Sequence, residues 1–196
     1  SSLKYVSLKQ KKCQETGVKF TLHHLKDDKN LSGLINQLNH DPSVDGFFIQ
    51  LPLKNQQYLK LISPTKDVDG LNPNSKFTPA VVVGIIKLLE NYNLSFNNRK
   101  VVIINDSNLI GQPLKKHFPK AILCNDQTKD LSKITQTADL LISATGVKNL
   151  ITADMVKDGA VVIDVGVNRI GVTPEGKAKL CGDVDFEAVK EKASVI

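Results

Sequence analysis

The chain has 196 residues, 41% hydrophobic and 23% charged, an ordinary folded composition that excludes collagen, coiled coil and wholesale disorder. The net charge of +6 comes from lysines scattered along the sequence, with Arg99 and Arg169 the only arginines, a pattern that does not indicate nucleic-acid binding. No apolar run approaches the ~20 residues of a membrane helix, and the polar start from Ser1 to Lys12 lacks the apolar stretch of a signal peptide, so no membrane partner is expected.

In chain order, Tyr5, Leu8, Lys12 and Cys13 recur at helical spacing until Gly17, which predicts a helix over about residues 3–16 with a glycine cap. Residues 18–22 read as a strand. Leu31, Leu34, Ile35 and Leu38 repeat with a helical period and meet the turn signals from Asn39 to Pro42, a second helix. The short apolar run at residues 45–50 reads as a buried strand. After Leu51-Pro52-Leu53 comes an amphipathic stretch, and the turn-rich segment from Ser63-Pro64 to Asn72-Pro73-Asn74 marks a domain boundary.

The second half alternates regularly. Residues 81–89 form a helix so rich in Val and Ile that its neighbours must bury it. Apolar strands follow at residues 100–104, 121–124, 140–144 and 160–164, with a helix opening at Gly111 and shorter ones between the later strands. Near-continuous apolar strands joined by crossovers mean a parallel sheet covered on both faces, so the fold class is α/β with a doubly wound, Rossmann-like second half. Such sheets bind ligands beyond the carboxyl ends of their strands, which here carry Asn105-Asp106-Ser107, Asn125-Asp126, Thr145-Gly146 and Val165-Gly166-Val167.

Three groups of residues carry chemistry in the first half. Tyr5 and Lys9 stand one helical turn apart and share a face. Gln50-Leu51-Pro52-Leu53 closes an apolar run with a polar side chain and a proline, and Lys66-Asp67-Val68-Asp69-Gly70 places two carboxylates in a turn. Each also has an ordinary reading, as a surface pair, a strand end and a solvated turn. The carboxylates are too few and wrongly spaced for a calcium loop. The four histidines share no metal or triad spacing, and Cys13, Cys124 and Cys181 are odd in number and far apart, so no metal is expected and a reducing cytoplasm fits best.

The order S-x-x-Y-V-x-x-K, D-G-x-x-x-Q-L-P-L and P-x-K-D-V-D-G resembles the bifunctional methylenetetrahydrofolate dehydrogenase/cyclohydrolase family. The match runs through Ser2 to Lys9, Asp45 to Leu53 and Pro64 to Gly70, and continues at Ala138 to Gly146, Gly159 to Arg169 and Gly182-Asp183-Val184. The resemblance implies that Lys9 is the catalytic lysine, Tyr5 packs on the folate, Gln50 holds the lysine, Leu51 and Pro52 line the substrate site, and Asp69 grips the pterin ring. It also implies the reaction: oxidation of 5,10-methylenetetrahydrofolate by NAD or NADP to the methenyl form, then hydrolysis to 10-formyltetrahydrofolate. Two domains are expected, a folate and catalytic domain over residues 1–78 and a dinucleotide domain over 79–196, with the active site in the cleft between them and a homodimer formed through the second.

Asn105, Asp106, Ser107, Gly111, Asp126, Thr145, Gly146 and Val167 are the expected cofactor-binding residues. Where the family shows G-x-S-x-x-V-G-x-P, this chain has Asn105 in place of the first glycine, which bears on close approach of backbone to phosphate. NADP-using members carry a basic residue after that glycine and a serine in the loop after the second strand; Asp106 and Asp126 hold those places here. Asp126 follows Asp106 at about the 20-residue offset of an acidic residue that binds the ribose 2′-hydroxyl in NAD sites, so NAD is expected over NADP. Family members have segments before the tyrosine-lysine motif and after Ile196 that are not in this chain, so it is expected to be part of a longer protein. Two alternatives remain: a cyclohydrolase with a degraded dinucleotide site, and a non-catalytic folate-binding or scaffold protein.

Overall fold

The structure, a computed structural model, describes residues 2–173 and 176–196. The chain divides into two compact units, Ser1–Pro79 and Ala80–Ile196.

In the first unit, helix α1 spans Ser2–Glu15. It ends because Gly17 adopts φ 73° and lets Val18 N donate back to Cys13 O at 2.8 Å, closing the last turn as glycine caps do. Helix α2, Leu31–His40, buries Leu31 and Ile35 against Leu59 and Ile62 around a short 3-10 helix, Gln56–Leu61. Phe47, Ile49, Leu51 and Leu53 pack on the same small core. The carbonyls that α2 leaves unpaired at its end are met by Lys66, whose Nζ donates to Leu38 O at 2.9 Å and to Asp41 O at 2.6 Å.

Two strand expectations are corrected here. Residues 18–22 are irregular, with Val18 and Leu22 exposed. Residues 45–50 make only a one-residue parallel bridge, Phe47 to Asp67, and residues 47–50 are half-buried. β-propensity expresses a fit between neighbouring strands, and neither segment has a ladder among the described residues.

The second unit begins with α3, Ala80–Asn91. Then follow β1 Val101–Ile104, α4 Gly111–His117, β2 Ile122–Cys124, α5 Leu131–Thr135, β3 Leu140–Ser143 and β4 Val161–Asp164. The four strands form one parallel sheet in the order β2-β1-β3-β4. Because side chains alternate along a strand, Val101, Ile103, Leu140, Ile142, Val161 and Ile163 face one core with Val82, Ile85 and Leu89 of α3. Val102, Ile104, Leu141 and Val162 face the other, with Ile151, Val156, Val184 and Val189. The sheet is therefore buried on both sides, as its near-continuous apolar strands require.

An antiparallel hairpin of β5, Asn168–Val172, and β6, Ala178–Cys181, precedes the short helix α6, Phe186–Val189. The sequence reading did not include it. Its strands are mostly exposed and lack the continuous apolar run that marks the others.

Candidate active site

In the first unit the elements converge on Lys9. Its Nζ lies 3.2 and 3.1 Å from the two carboxylate oxygens of Asp69 and 3.5 Å from the centroid of the Phe48 ring. The carboxylate and the π face both attract the ammonium group. The pair remains partly open to solvent, at 35% and 29% side-chain exposure.

The turn that presents Asp69 is built by its neighbours. Asp67 is fully buried and its Oδ2 accepts from Asn72 N at 2.7 Å, while Asn72 Nδ2 donates to Ile62 O at 2.8 Å. Phe47 N donates to Lys66 O at 2.8 Å, which brings the segment carrying Phe48 alongside. Gly46 makes this approach feasible, since a Cβ there would lie 2.2 Å from Val68 Cγ1.

Gln50 Nε2 donates to Leu51 O at 3.1 Å, and its Oε1 is buried with no partner among the described residues. The hold on Lys9 comes from Asp69 and Phe48. Leu51 packs on the first unit's core, Pro52 follows it through a cis peptide bond, and Tyr5 stands exposed one turn before Lys9 on α1. Phe48 is the residue that sequence reasoning missed here. Period-two alternation places it on the same side as Gln50, and that was the available signal.

In the second unit the candidate residues line the carboxyl ends of the strands, where the order reverses between β1 and β3. Asn105 keeps φ out of the positive region, which among the described non-glycine residues is occupied by Asn93, Asn98, Asp130 and Asn149. Its Oδ1 accepts from Ser107 Oγ at 2.6 Å, Ser107 N at 2.9 Å and Gly111 N at 3.0 Å. Its Nδ2 donates to Ala144 O at 2.8 Å, tying the β1 loop to the β3 loop. Asparagine therefore braces this turn with its side chain where the family's glycine has none. The space that Gly111 leaves is required, because a Cβ there would lie 2.1 Å from Asn105 O.

Asp106 is exposed, and its Oδ2 accepts from Asn125 Nδ2 at 2.9 Å, linking the β1 and β2 loops. Asp126 is exposed beside that link. Gly146 has φ 70° with open space where a side chain would be, and Val167 is exposed beyond β4. Asn125 and Asp183 stand in segments that the sequence reading quoted, but it gave neither of them a role. Their hydrogen bonds join loops far apart in sequence, which no local pattern announces. Among the described residues, no helix is long and apolar enough to cross a membrane.

The model of the tetrahydrofolate dehydrogenase/cyclohydrolase catalytic domain matches residues 1–69, and that of the same family's NAD(P)-binding domain matches residues 79–196. The bifunctional protein FolD of Campylobacter jejuni strain RM1221 is 41% identical over 100% of this chain and 75% of its own length. A crystal structure of the Campylobacter jejuni enzyme superposes with a TM-score of 0.90 at 40% identity, covering 100% of this chain and 75% of that one. The Trypanosoma brucei enzyme, solved with NADP and an inhibitor, gives a TM-score of 0.88 at 25% identity, covering 100% and 74%. On these matches and this architecture, the chain belongs to the tetrahydrofolate dehydrogenase/cyclohydrolase family.

Proposed function

We infer that this chain oxidises 5,10-methylenetetrahydrofolate with a nicotinamide dinucleotide and hydrolyses the resulting methenyl compound to 10-formyltetrahydrofolate. The observation that carries this reading is the Lys9 ammonium, held between the Asp69 carboxylate and the Phe48 ring.

In the hydrolytic step a water molecule adds to the electron-poor methenyl carbon and loses a proton, and a ring nitrogen must gain one as the bridge opens. Lys9 moves that proton, an acid/base role. Asp69 pairs with Lys9 while the site is free and offers two acceptor oxygens to the amino-pyrimidinone edge of the pterin when substrate enters. The buried Gln50 Oε1, without a partner among the described residues, is an acceptor that the Lys9 ammonium can take once Asp69 turns to the pterin. Tyr5 offers its exposed ring for stacking, and Leu51 and Pro52 line the substrate.

The dinucleotide, when bound, supplies the hydride acceptor. Asn105, Ser107 and Gly111 shape the β1 loop for it, while Gly146 and Val167 leave an open shelf beyond β3 and β4. Methylenetetrahydrofolate turnover, followed with and without dinucleotide, tests the whole reading. Methenyl and formyl products should both appear with cofactor. Hydrolysis alone would mark a cyclohydrolase, and no turnover a binding protein.

The reading extends to cofactor choice, with NAD preferred over NADP. Asp106, steadied by Asn125, and Asp126 place carboxylates where a 2′-phosphate would lie. Each would oppose it at ~6 Å by on the order of 3 kcal/mol per unit charge at an effective dielectric of ~20, less where solvent screens it. The Lys115 ammonium donates to the Ala121 carbonyl. Titration of both cofactors should give at least about tenfold tighter binding of NAD; tighter NADP binding would reverse the assignment.

A homodimer through the second unit is also part of this reading. The β5–β6 hairpin supports it, since Ile170, Val172 and Leu180 are exposed apolar side chains on two short strands. Light scattering at micromolar concentration should give twice the monomer mass, and the monomer mass would remove the claim. Cytoplasmic location completes the reading, supported by three cysteines that are all free.

A further inference from the structure

One buried carboxylate organises the turn that follows β3. Asp183 is inaccessible to solvent. Its Oδ2 accepts from Thr145 N at 2.6 Å, Thr145 Oγ1 at 2.9 Å, Ser143 Oγ at 3.0 Å and Gly146 N at 3.3 Å. Its Oδ1 accepts from Asn168 Nδ2 at 2.9 Å, and Gly166 makes room, since a Cβ there would lie 2.0 Å from that oxygen. Asp164 holds the turn after β4 in the same way, accepting from Gly166 N, Asp183 N and Val184 N, each at 3.0 Å. All these donors are neutral, and neither carboxylate has a salt bridge among the described residues. Burial pushes the Asp183 pKa up, but the hydrogen bonds from Thr145 N, Asn168, the Thr145 hydroxyl and Ser143 outweigh it and hold the carboxyl below its ordinary value.

Backbone amides in turns commonly bind the phosphates of a dinucleotide. The amides of Thr145, Gly146 and Gly166 are already occupied by internal carboxylates, so these turns have none of them left for a diphosphate. They present instead the exposed side chains of Val147 and Val167 above a negative charge. That surface suits a nicotinamide ring, which is cationic when oxidised and neutral when reduced. The strand order agrees: Asp106 and Asn125 sit beyond β1 and β2, toward the adenosine end, and the Asp183 turn sits beyond β3 on the other side.

We propose that Asp183 is the positioning residue for the nicotinamide half of the cofactor site, fixing the Thr145–Gly146 turn and, through its uncompensated charge, favouring the oxidised dinucleotide over the reduced one. This rests on the dinucleotide site assigned above.

Asp183→Asn tests it with little change of shape. The amide can turn its oxygen to the four donors and its nitrogen toward Asn168, at the loss of one hydrogen bond. Dissociation constants for NAD and NADH are measured on wild type and variant, with thermal melting to confirm folding. The oxidised form should bind about tenfold more weakly to the variant and the reduced form less than about threefold more weakly. Equal losses for both forms, or none, would overturn the proposal. If Asp183→Asn does not fold, Thr145→Val removes one donor to the carboxylate and loosens the turn while the charge stays, so both forms should bind roughly threefold more weakly; unchanged binding of both forms would overturn the proposal there too. A wild-type protein that binds neither form would instead defeat the cofactor-site reading beneath it.

Discussion

Lys9→Met is expected to lower the cyclohydrolase rate by at least about 100-fold, the lower end of what a positioned acid/base group contributes. Methionine keeps most of the length and apolar volume of the lysine stem but can neither donate nor accept the proton that must move as water adds. It also leaves Asp69 without its 3.1 Å ion-pair partner. The fold should survive, because a pair this open to solvent contributes little stability. The loss should therefore fall on kcat, with a melting temperature near that of wild type. Steady-state hydrolysis of the methenyl compound, with circular dichroism alongside, measures both. A variant hydrolysing at the full wild-type rate would remove Lys9 from the mechanism.

The second large effect is expected at Gly111→Ala. The added methyl would stand 2.1 Å from Asn105 O, 2.6 Å from Asn105 C and 2.8 Å from Asp106 Cα. All three are backbone atoms, so no side chain can swing aside and the loop itself must move. Overpacking of this kind costs roughly 1–3 kcal/mol. The displaced loop also carries the Asn105 brace to Gly111 N and Ala144 O, so the damage extends across the switch point between β1 and β3. Dinucleotide binding and dehydrogenase activity should be lost, while hydrolysis, which we assign to the first unit, should persist in a destabilised protein. Urea unfolding and cofactor titration check the two parts separately. Unchanged cofactor affinity would show that this loop does not form the nucleotide site.

Much of the second unit was legible because its physics is local. Parallel strands buried on both faces must be apolar throughout, so Val101–Ile104, Leu140–Ser143 and Val161–Asp164 announce themselves. The exposed β5–β6 hairpin did not. In the first unit α1 and α2 were readable from their periodicity, whereas the expected strands at residues 18–22 and 45–50 were not realised, because pairing is decided by partners that a segment does not contain.

The candidate site divides along the same line. Sequence by itself singled out the candidates for chemistry: the lysine one turn after Tyr5, the carboxylates around Val68, the glutamine before Leu51-Pro52, and the polar loops at the strand ends. Tertiary structure alone decided which of them meet. Lys9 reaches Asp69 across 60 positions of sequence and rests on Phe48, which has no polar atom to draw notice. Asn105 proves to be a brace where a missing glycine had suggested a defect, and Asp183, 38 positions beyond Thr145, holds its turn. The physical reason is common to all of them: a hydrogen bond or ion pair between distant residues exists only after the elements that bear them have packed, so the composition of the site is written in the chain while its connections are set by the fold.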